Sequence, residues 1–219
     1  MIAVENLRLG YRDVVAEGLS FVIAPGECVL LCGPNGSGKS TLMRTLAGLV
    51  KPLGGRISCG RVAMVPTGIP KVKGFTVGEF VRTSCYKSSN WQGLLSPDAV
   101  SRLDRALKLL DLDGLRDRDI ASLSDGQFQK ACIATALTRE ADLILLDEPT
   151  AFLDVPSRRM VLQVMRGLAH GTGKVLLFSS HDIHDAMEVA DRVFGLVEGK
   201  LLVSDYSLES KEEVISAMM

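Results

Sequence analysis

The sequence has no excess of either charge: 25 Lys and Arg residues face 26 Asp and Glu, a formal net charge of −1. No Lys/Arg run concentrates the positive side chains, so there is no field to recruit nucleic acid or anionic lipid. No apolar stretch approaches the roughly 18–20 residues needed to cross a bilayer. Any membrane attachment is therefore expected through a partner. The opening Met1-Ile2-Ala3-Val4-Glu5-Asn6 lacks the basic and apolar regions of a secretory signal. Cys28, Cys32, Cys59, Cys85 and Cys132 are odd in number and form no C-x-x-C pair. This argues against a disulfide framework and for a reducing compartment. Internal repeats and low-complexity segments are also missing.

What is present is a chain of 219 residues, 47% hydrophobic, enough for one α/β domain with its own core or for a core with a smaller inserted lobe. Short β-rich runs alternate with helical patterns, which favours a mainly parallel sheet covered by helices. Val29 to Cys32 predicts a buried strand, Ser40 to Leu49 a helix, and Val62 to Val65 a strand ended by Pro66. Leu143 to Leu146 and Val175 to Phe178 predict two more strands. Both end in polar residues, at the strand ends where ligands bind in such sheets. From Thr67 to Ala121 the pattern turns to helix and loop. Ser96-Pro97 is a helix start, and Val100, Leu103, Leu107 and Leu110 recur at helical spacing. A hairpin is expected over Phe194 to Val203 and an amphipathic helix from Ser207.

Gly33-Pro34-Asn35-Gly36-Ser37-Gly38-Lys39-Ser40-Thr41 fits G-x-x-x-x-G-K-S/T between a strand and a helix, the context that the pattern requires. Glycines let backbone N–H groups close around phosphate oxygens, and the helix N-terminus adds a favourable dipole. Lys39 is expected on the β- and γ-phosphates and the Ser40 hydroxyl on Mg²⁺. The apolar strand Leu143 to Leu146 runs into Asp147-Glu148, so Asp147 can hold Mg²⁺ and Glu148 can deprotonate the attacking water. These two motifs together describe a P-loop nucleotide hydrolase. Leu123-Ser124-Asp125-Gly126-Gln127 precedes a helix predicted from about Phe128 to Leu137. Ser124 and the N–H of Gly126 at that helix start make either an anion site or an ordinary cap.

Leu123 to Gln127 resembles the signature of ABC ATPases, usually Leu-Ser-Gly-Gly-Gln, with Asp125 at the third position. The rest of that family's pattern falls in order along nearly the whole chain. The resemblance implies an ABC ATPase fold: an α/β core with a mainly parallel sheet, an N-terminal antiparallel β part and an inserted helical subdomain. It divides the chain into a nucleotide-binding core over 1–66 and 122–205, a helical subdomain over 67–121 and a C-terminal tail over 206–219. Tyr11 falls where the family stacks an aromatic residue on adenine, although a core tyrosine reads equally well. Ala151-Phe152-Leu153-Asp154 matches the D-loop, which assigns Asp154 to the nucleotide site. His181 matches the switch histidine that senses γ-phosphate, against the ordinary reading of a packing or surface residue. His170 and His184 have no such position, and the pair His181 and His184 has no evident third metal ligand. The family's usual Gln after the strand entering the helical lobe is absent. Thr67 is the equivalent, with a shorter hydroxyl for a metal-bound water.

Three short motifs resemble the subfamily that energises uptake of iron–siderophore complexes, haem or cobalamin. They are the Asp125 form of the signature, the run Ala151 to Arg158, and Val65-Pro66-Thr67. Trp91-Gln92-Gly93-Leu94-Leu95-Ser96 resembles the same branch. The implied assembly is a homodimer in which Ser124, Gly126 and Gln127 cap ATP bound to the other copy. Integral-membrane permease subunits would dock on the helical subdomain near Trp91, itself readable as a local packing anchor, and a substrate-binding protein would take part indirectly. The expected location is the cytoplasmic face of the inner membrane, with no nucleic-acid partner and no C-terminal regulatory domain. The competing classes are a soluble, non-transport ABC ATPase and a P-loop scaffold that binds ATP without turnover. Glu148 argues against the scaffold.

Overall fold

A computed structural model describes residues 1–88 and 94–218, without the side chains of 87 and 88. Alternating burial along β1 (Ile2–Gly10) and β2 (Val14–Ile23) makes an antiparallel pair with one face inward. The strand that follows, β3 (Cys28–Cys32), is buried at every position. It leads into α1 (Lys39–Leu46), which stops three residues short of the expected Leu49. The backbone of Gly48 turns left-handed there, and the last carbonyls are closed by Gly48, Leu49 and Val50 N–H groups. Next come β4 (Gly54–Ser58) and β5 (Val62–Val65).

The middle of the chain is helical. It comprises α2 (Val77–Arg82), a 3₁₀ turn over Thr83–Ser88, α3 (Pro97–Leu109), and α4 (Asp125–Thr138). Ser96 caps α3 by accepting from the Ala99 N–H, with Pro97 in the first turn. Leu103, Leu107 and Leu110 face inward, but Val100 is 40% exposed and does not join their stripe. The signature helix α4 begins three residues before the expected Phe128, because Ser124 and Gln127 form a reciprocal capping box. The remaining elements are β6 (Leu143–Leu146), α5 (Val155–Thr172), β7 (Val175–Ser179), α6 (Ile183–Val189), β8 (Arg192–Val197), β9 (Lys200–Val203) and α7 (Leu208–Ser216), the last capped by Ser207.

Two sheets result. A three-stranded sheet has the order β2-β1-β4, and a six-stranded sheet has the order β5-β6-β7-β3-β8-β9. The pairings β6 with β7, β7 with β3 and β3 with β8 are parallel, while β9 closes an antiparallel hairpin on β8. Full burial of β3, β6 and β7 explains the unbroken apolar runs 28–32, 143–146 and 175–178. Cys28 and Cys32 serve in β3 as small hydrophobes. Burial pushes both thiols up to about 12, so they are inert at neutral pH.

The chain divides into two compact units. One comprises Met1–Met64, Ala141–Glu148 and Met165–Met219, and the other comprises Val65–Glu140 and Pro149–Val164. The helical unit thus runs beyond the sequence-based limit of Ala121, taking in α4 and the segment after Glu148. The reason is packing: α4 lies against α2 and α3, with the rings of Phe80 and Phe128 5.7 Å apart. Trp91, the expected docking residue, lies outside the described residues.

Candidate active site

The first unit holds the phosphate loop. A Cβ on Gly33 would sit 2.2 Å from the Leu196 carbonyl oxygen, so no side chain fits where the loop leaves β3. Gly38 provides no side-chain cap to α1, and the first N–H groups of that helix are left for an anion. Lys39 is buried, and its ammonium donates to the carbonyls of Gly33 (2.8 Å) and Pro34 (3.0 Å), folding back across the loop. Pro34, Asn35 and Gly36 are exposed at the tip, while Ser40 and Thr41 are half-buried in and beside the first helical turn. The Ser37 hydroxyl is buried with no hydrogen-bond partner among the described residues.

The same unit places the carboxylates. Leu146 pairs with Phe178 across β6 and β7, so the next residues, Asp147 and Ser179, lie side by side at the carboxyl ends of both strands. Asp147 is 3% exposed, and its Oδ1 accepts the Ser179 hydroxyl at 2.8 Å. The Ser179 oxygen in turn accepts the Glu148 N–H at 2.9 Å. Glu148 has φ 54°, a left-handed conformation costly for a residue with a side chain. Its carboxylate accepts the His181 N–H at 3.2 Å and lies 3.4 Å from His181 Nε2. Burial pushes the Glu148 carboxyl above the ordinary glutamate range. The His181 ring and N–H pull it back, Asp147 raises it further, and Lys39 lowers it. Lys39, Asp147, Glu148 and His181 therefore share one electrostatic neighbourhood.

Tyr11 is not a core tyrosine: it is 59% exposed between β1 and β2, and its hydroxyl accepts a 3.3 Å hydrogen bond from Arg44 of α1.

The second unit holds the other sequence-predicted residues. Ser124 Oγ accepts the Gln127 N–H (3.2 Å), and Gln127 Oε1 accepts the Ser124 N–H (3.1 Å), so both side chains cap α4. A Cβ on Gly126 would come within 3.2 Å of Leu153 and 3.3 Å of the Phe152 carbonyl oxygen, so glycine lets the helix start lie against the D-loop. An open cavity of about 630 Å³ is lined there by Ser124, Gly126, Gln127, Lys130, Leu153 and Asp154. Asp154 Oδ1 accepts the Ser157 N–H at 2.9 Å. Hydrogen bonds from the Ser157 hydroxyl and N–H hold its carboxyl below the usual aspartate range. Thr67 lies in an exposed turn after β5.

The structure thus brings the phosphate loop, Asp147, Glu148 and His181 together in one unit, and Ser124, Gly126, Gln127 and Asp154 in the other. Ser179 is the member that sequence reasoning passed over. Its polarity at the end of an apolar strand was the available signal, but only the strand register gives it Asp147 as a partner. Among the described residues no group of three His, Cys, Asp or Glu side chains could hold a metal ion. A hard divalent ion held by Ser40 and Asp147 would therefore need phosphate oxygens to complete its shell. That suits Mg²⁺, which is ordinarily bound through few protein ligands with substrate phosphates.

The chain is similar to known proteins along most of its length. Residues 16–151 match the family model described as ABC transporter. A Bacillus subtilis (strain 168) protein named "Probable siderophore transport system ATP-binding protein" is 35% identical over 98% of this chain and 82% of its own length. The high-affinity zinc uptake system ATP-binding protein of the same strain is 31% identical over 91% of this chain and 92% of its own. Among solved structures, a chain described as a metal-chelate type ABC transporter in an inward-facing conformation superposes with a TM-score of 0.87. It shares 28% identity and covers 99% of this chain and 88% of its own. From its phosphate loop to its signature helix, this chain belongs to the ABC transporter family, as an ATP-hydrolysing subunit.

Proposed function

We propose that the chain powers import of a metal chelate, an iron–siderophore complex first among the candidates, through separate membrane permease subunits. The observation that carries the reading is the hydrogen-bonded chain from buried Asp147 and Ser179 through half-buried Glu148 to exposed His181, which shares its field with Lys39. A site that only bound nucleotide would have no use for a strained, half-desolvated glutamate at that position. The relatives named for siderophore transport and for zinc uptake support an importer and leave two cargo classes to separate. Among the described residues no helix is long and apolar enough to cross a membrane. Our reading is of a peripheral subunit on the cytoplasmic face, held by the permease.

In this mechanism Lys39 turns from the Gly33 and Pro34 carbonyls to the β- and γ-phosphates, and the α1 N-terminus receives the phosphate charge. Mg²⁺, held by Ser40, Asp147 and the phosphates, would neutralise charge on the transferring group. Ser179 keeps Asp147 in place. Glu148 takes a proton from the attacking water as the new O–P bond forms and the bond to the β-phosphate oxygen breaks. His181 orients the Glu148 carboxylate and approaches the γ-phosphate. Tyr11, with its hydroxyl on Arg44, offers its ring to adenine, and the Thr67 hydroxyl would supply a hydrogen bond to water on Mg²⁺ were the ion bound. Ser124, Gly126, Gln127 and Asp154 complete the pocket on ATP held by a second, head-to-tail copy.

The test is ATP hydrolysis by the full chain co-purified with its permease, together with growth of a deletion strain on single iron, haem, cobalamin or zinc sources. Loss of growth on one iron–siderophore source alone is expected. Absence of ATPase activity at every Mg²⁺ concentration, or recovery without any polytopic membrane protein, contradicts the reading.

A further inference from the structure

We propose that Lys71 is a positioning residue for the signature end of α4, the counter-charge that stops Asp125 from repelling nucleotide phosphate. The proposal rests on the reading that Ser124 and Gly126 meet ATP carried by a second copy.

Asp125 is the first residue of α4 and stands between Ser124 and Gly126. Its side chain is 72% exposed. A carboxylate suits the positive end of a helix. It also sets a negative charge where phosphate would dock, and like charges a few ångströms apart repel appreciably even near a protein surface. A signature carrying Asp therefore needs something that one carrying Gly does not.

Lys71 meets that need. Its Nζ lies 2.7 Å from Asp125 Oδ1 and donates at 2.7 Å to the Leu123 carbonyl. It also stands 5.8 Å over the Phe128 ring, a cation–π contact. Three partners around one ammonium, on a side chain only 26% exposed, set it apart from a solvated surface lysine. The pair also has a direction. Asp125 borders two depressions: one is lined by Ser124, Gly126 and Asp154, and the other by Gly68, Ile69, Lys71 and Phe128. Lys71 lines only the second. The ion pair draws the carboxylate toward that side and away from the cavity in which Ser124 and Gly126 face solvent. It also ties the loop after β5, where Thr67 replaces the usual Gln, to the start of the signature helix.

An ion pair whose carboxylate is 72% exposed contributes little to folding, so a purely structural role predicts no change in ATP kinetics. The test uses the full chain with its permease and reads kcat and KM for ATP and ATP-dependent dimerisation. Lys71→Met keeps the stem over Phe128 and removes the charge, and it is expected to raise KM about fivefold. Lys71→Arg should hold KM within about twofold of wild type. The decisive variant is Lys71→Met with Asp125→Gly, which removes both charges and is expected to return KM to near the wild-type value. Thermal unfolding of each variant, with Lys71→Gln as a second neutral replacement, separates misfolding from loss of positioning. A wild-type KM in Lys71→Met and Lys71→Gln overturns the proposal, as does a double variant no better than the single one. If a 1:1 mixture of Lys39→Ala and Ser124→Ala hydrolyses ATP no better than the separate variants, the reading that the signature meets ATP on a second copy fails, and the proposal fails with it.

Discussion

The phosphate-loop half and the signature half of the candidate site differ in where their polar groups are kept. In the first, Asp147 is 3% exposed and Glu148 is held between Ser179 and His181. In the second, the Asp125 side chain is 72% exposed and Ser124 faces an open cavity of about 630 Å³. Burial in the first half raises the Glu148 carboxyl and fixes its geometry in advance, which is the preorganisation expected where bonds change. The second half has caps and a counter-charge but little that is desolvated, which suits a surface completed by another molecule. Chemistry and recognition are thus built separately, and each half is expected to fail in its own way when altered.

The largest expected effect falls in the buried half. Glu148→Gln should lower kcat by about 10²- to 10⁴-fold, the usual range for losing a general base, while ATP binding persists. A single-turnover assay with an ATP-binding measurement checks both, and loss of ATP binding in Glu148→Gln would erase the distinction between the halves. Ser179→Ala comes next. Without its hydroxyl, Asp147 loses a buried donor and the Glu148 N–H loses its acceptor, so activity should fall roughly 10- to 100-fold, as for other groups that orient a ligand. Unchanged activity would mean that the strand register alone positions Asp147.

The pH profile sharpens the same contrast. Glu148 must be ionised to accept a proton, and its carboxyl is raised by burial. The acid limb of kcat should therefore lie above the ordinary glutamate value of about 4.3, and it should be lost in what residual activity Glu148→Gln retains. The stability consequence has the opposite sign. A raised folded-state pKa favours the protonated form, so its stabilising contribution is present below the unfolded value and lost as pH rises through the folded one. At neutral pH the ionised Glu148 is a liability, compounded by its left-handed backbone. Glu148→Gln should raise Tm by about 2 °C at neutral pH, with the gain shrinking in acid. In the exposed half, Ser124→Ala should destabilise by about 1 kcal/mol through loss of the cap, read by thermal unfolding.

Much of the buried half was legible in the sequence because its information is local. Gly33 to Thr41 follows an apolar strand directly, and Asp147-Glu148 ends another, so spacing alone brings the chemistry together. Ser179 was not legible as a partner, since it meets Asp147 only through the parallel register that sets Leu146 against Phe178. Lys71 was hidden for the same kind of reason: its carboxylate partner lies 54 residues away. The start of α4 moved back to Asp125 because the capping box of Ser124 and Gln127 outweighs the weak helix preference of Asp and Gly. Tyr11 could be placed in sequence but not assigned, because one exposed aromatic residue has no periodicity to declare its face.

The claim that the two halves meet across a pair of chains is tested most directly by mixing two inactive variants. Lys39→Ala spoils only the phosphate-loop half and Ser124→Ala only the signature half. A mixed dimer whose sites form between copies keeps one site with both halves intact. A random 1:1 mixture should recover about one quarter of wild-type ATPase activity if the sites act independently. If each site were completed within one chain, both subunits of every mixed dimer would stay defective. ATP hydrolysis no greater than that of the separate variants would then contradict the account.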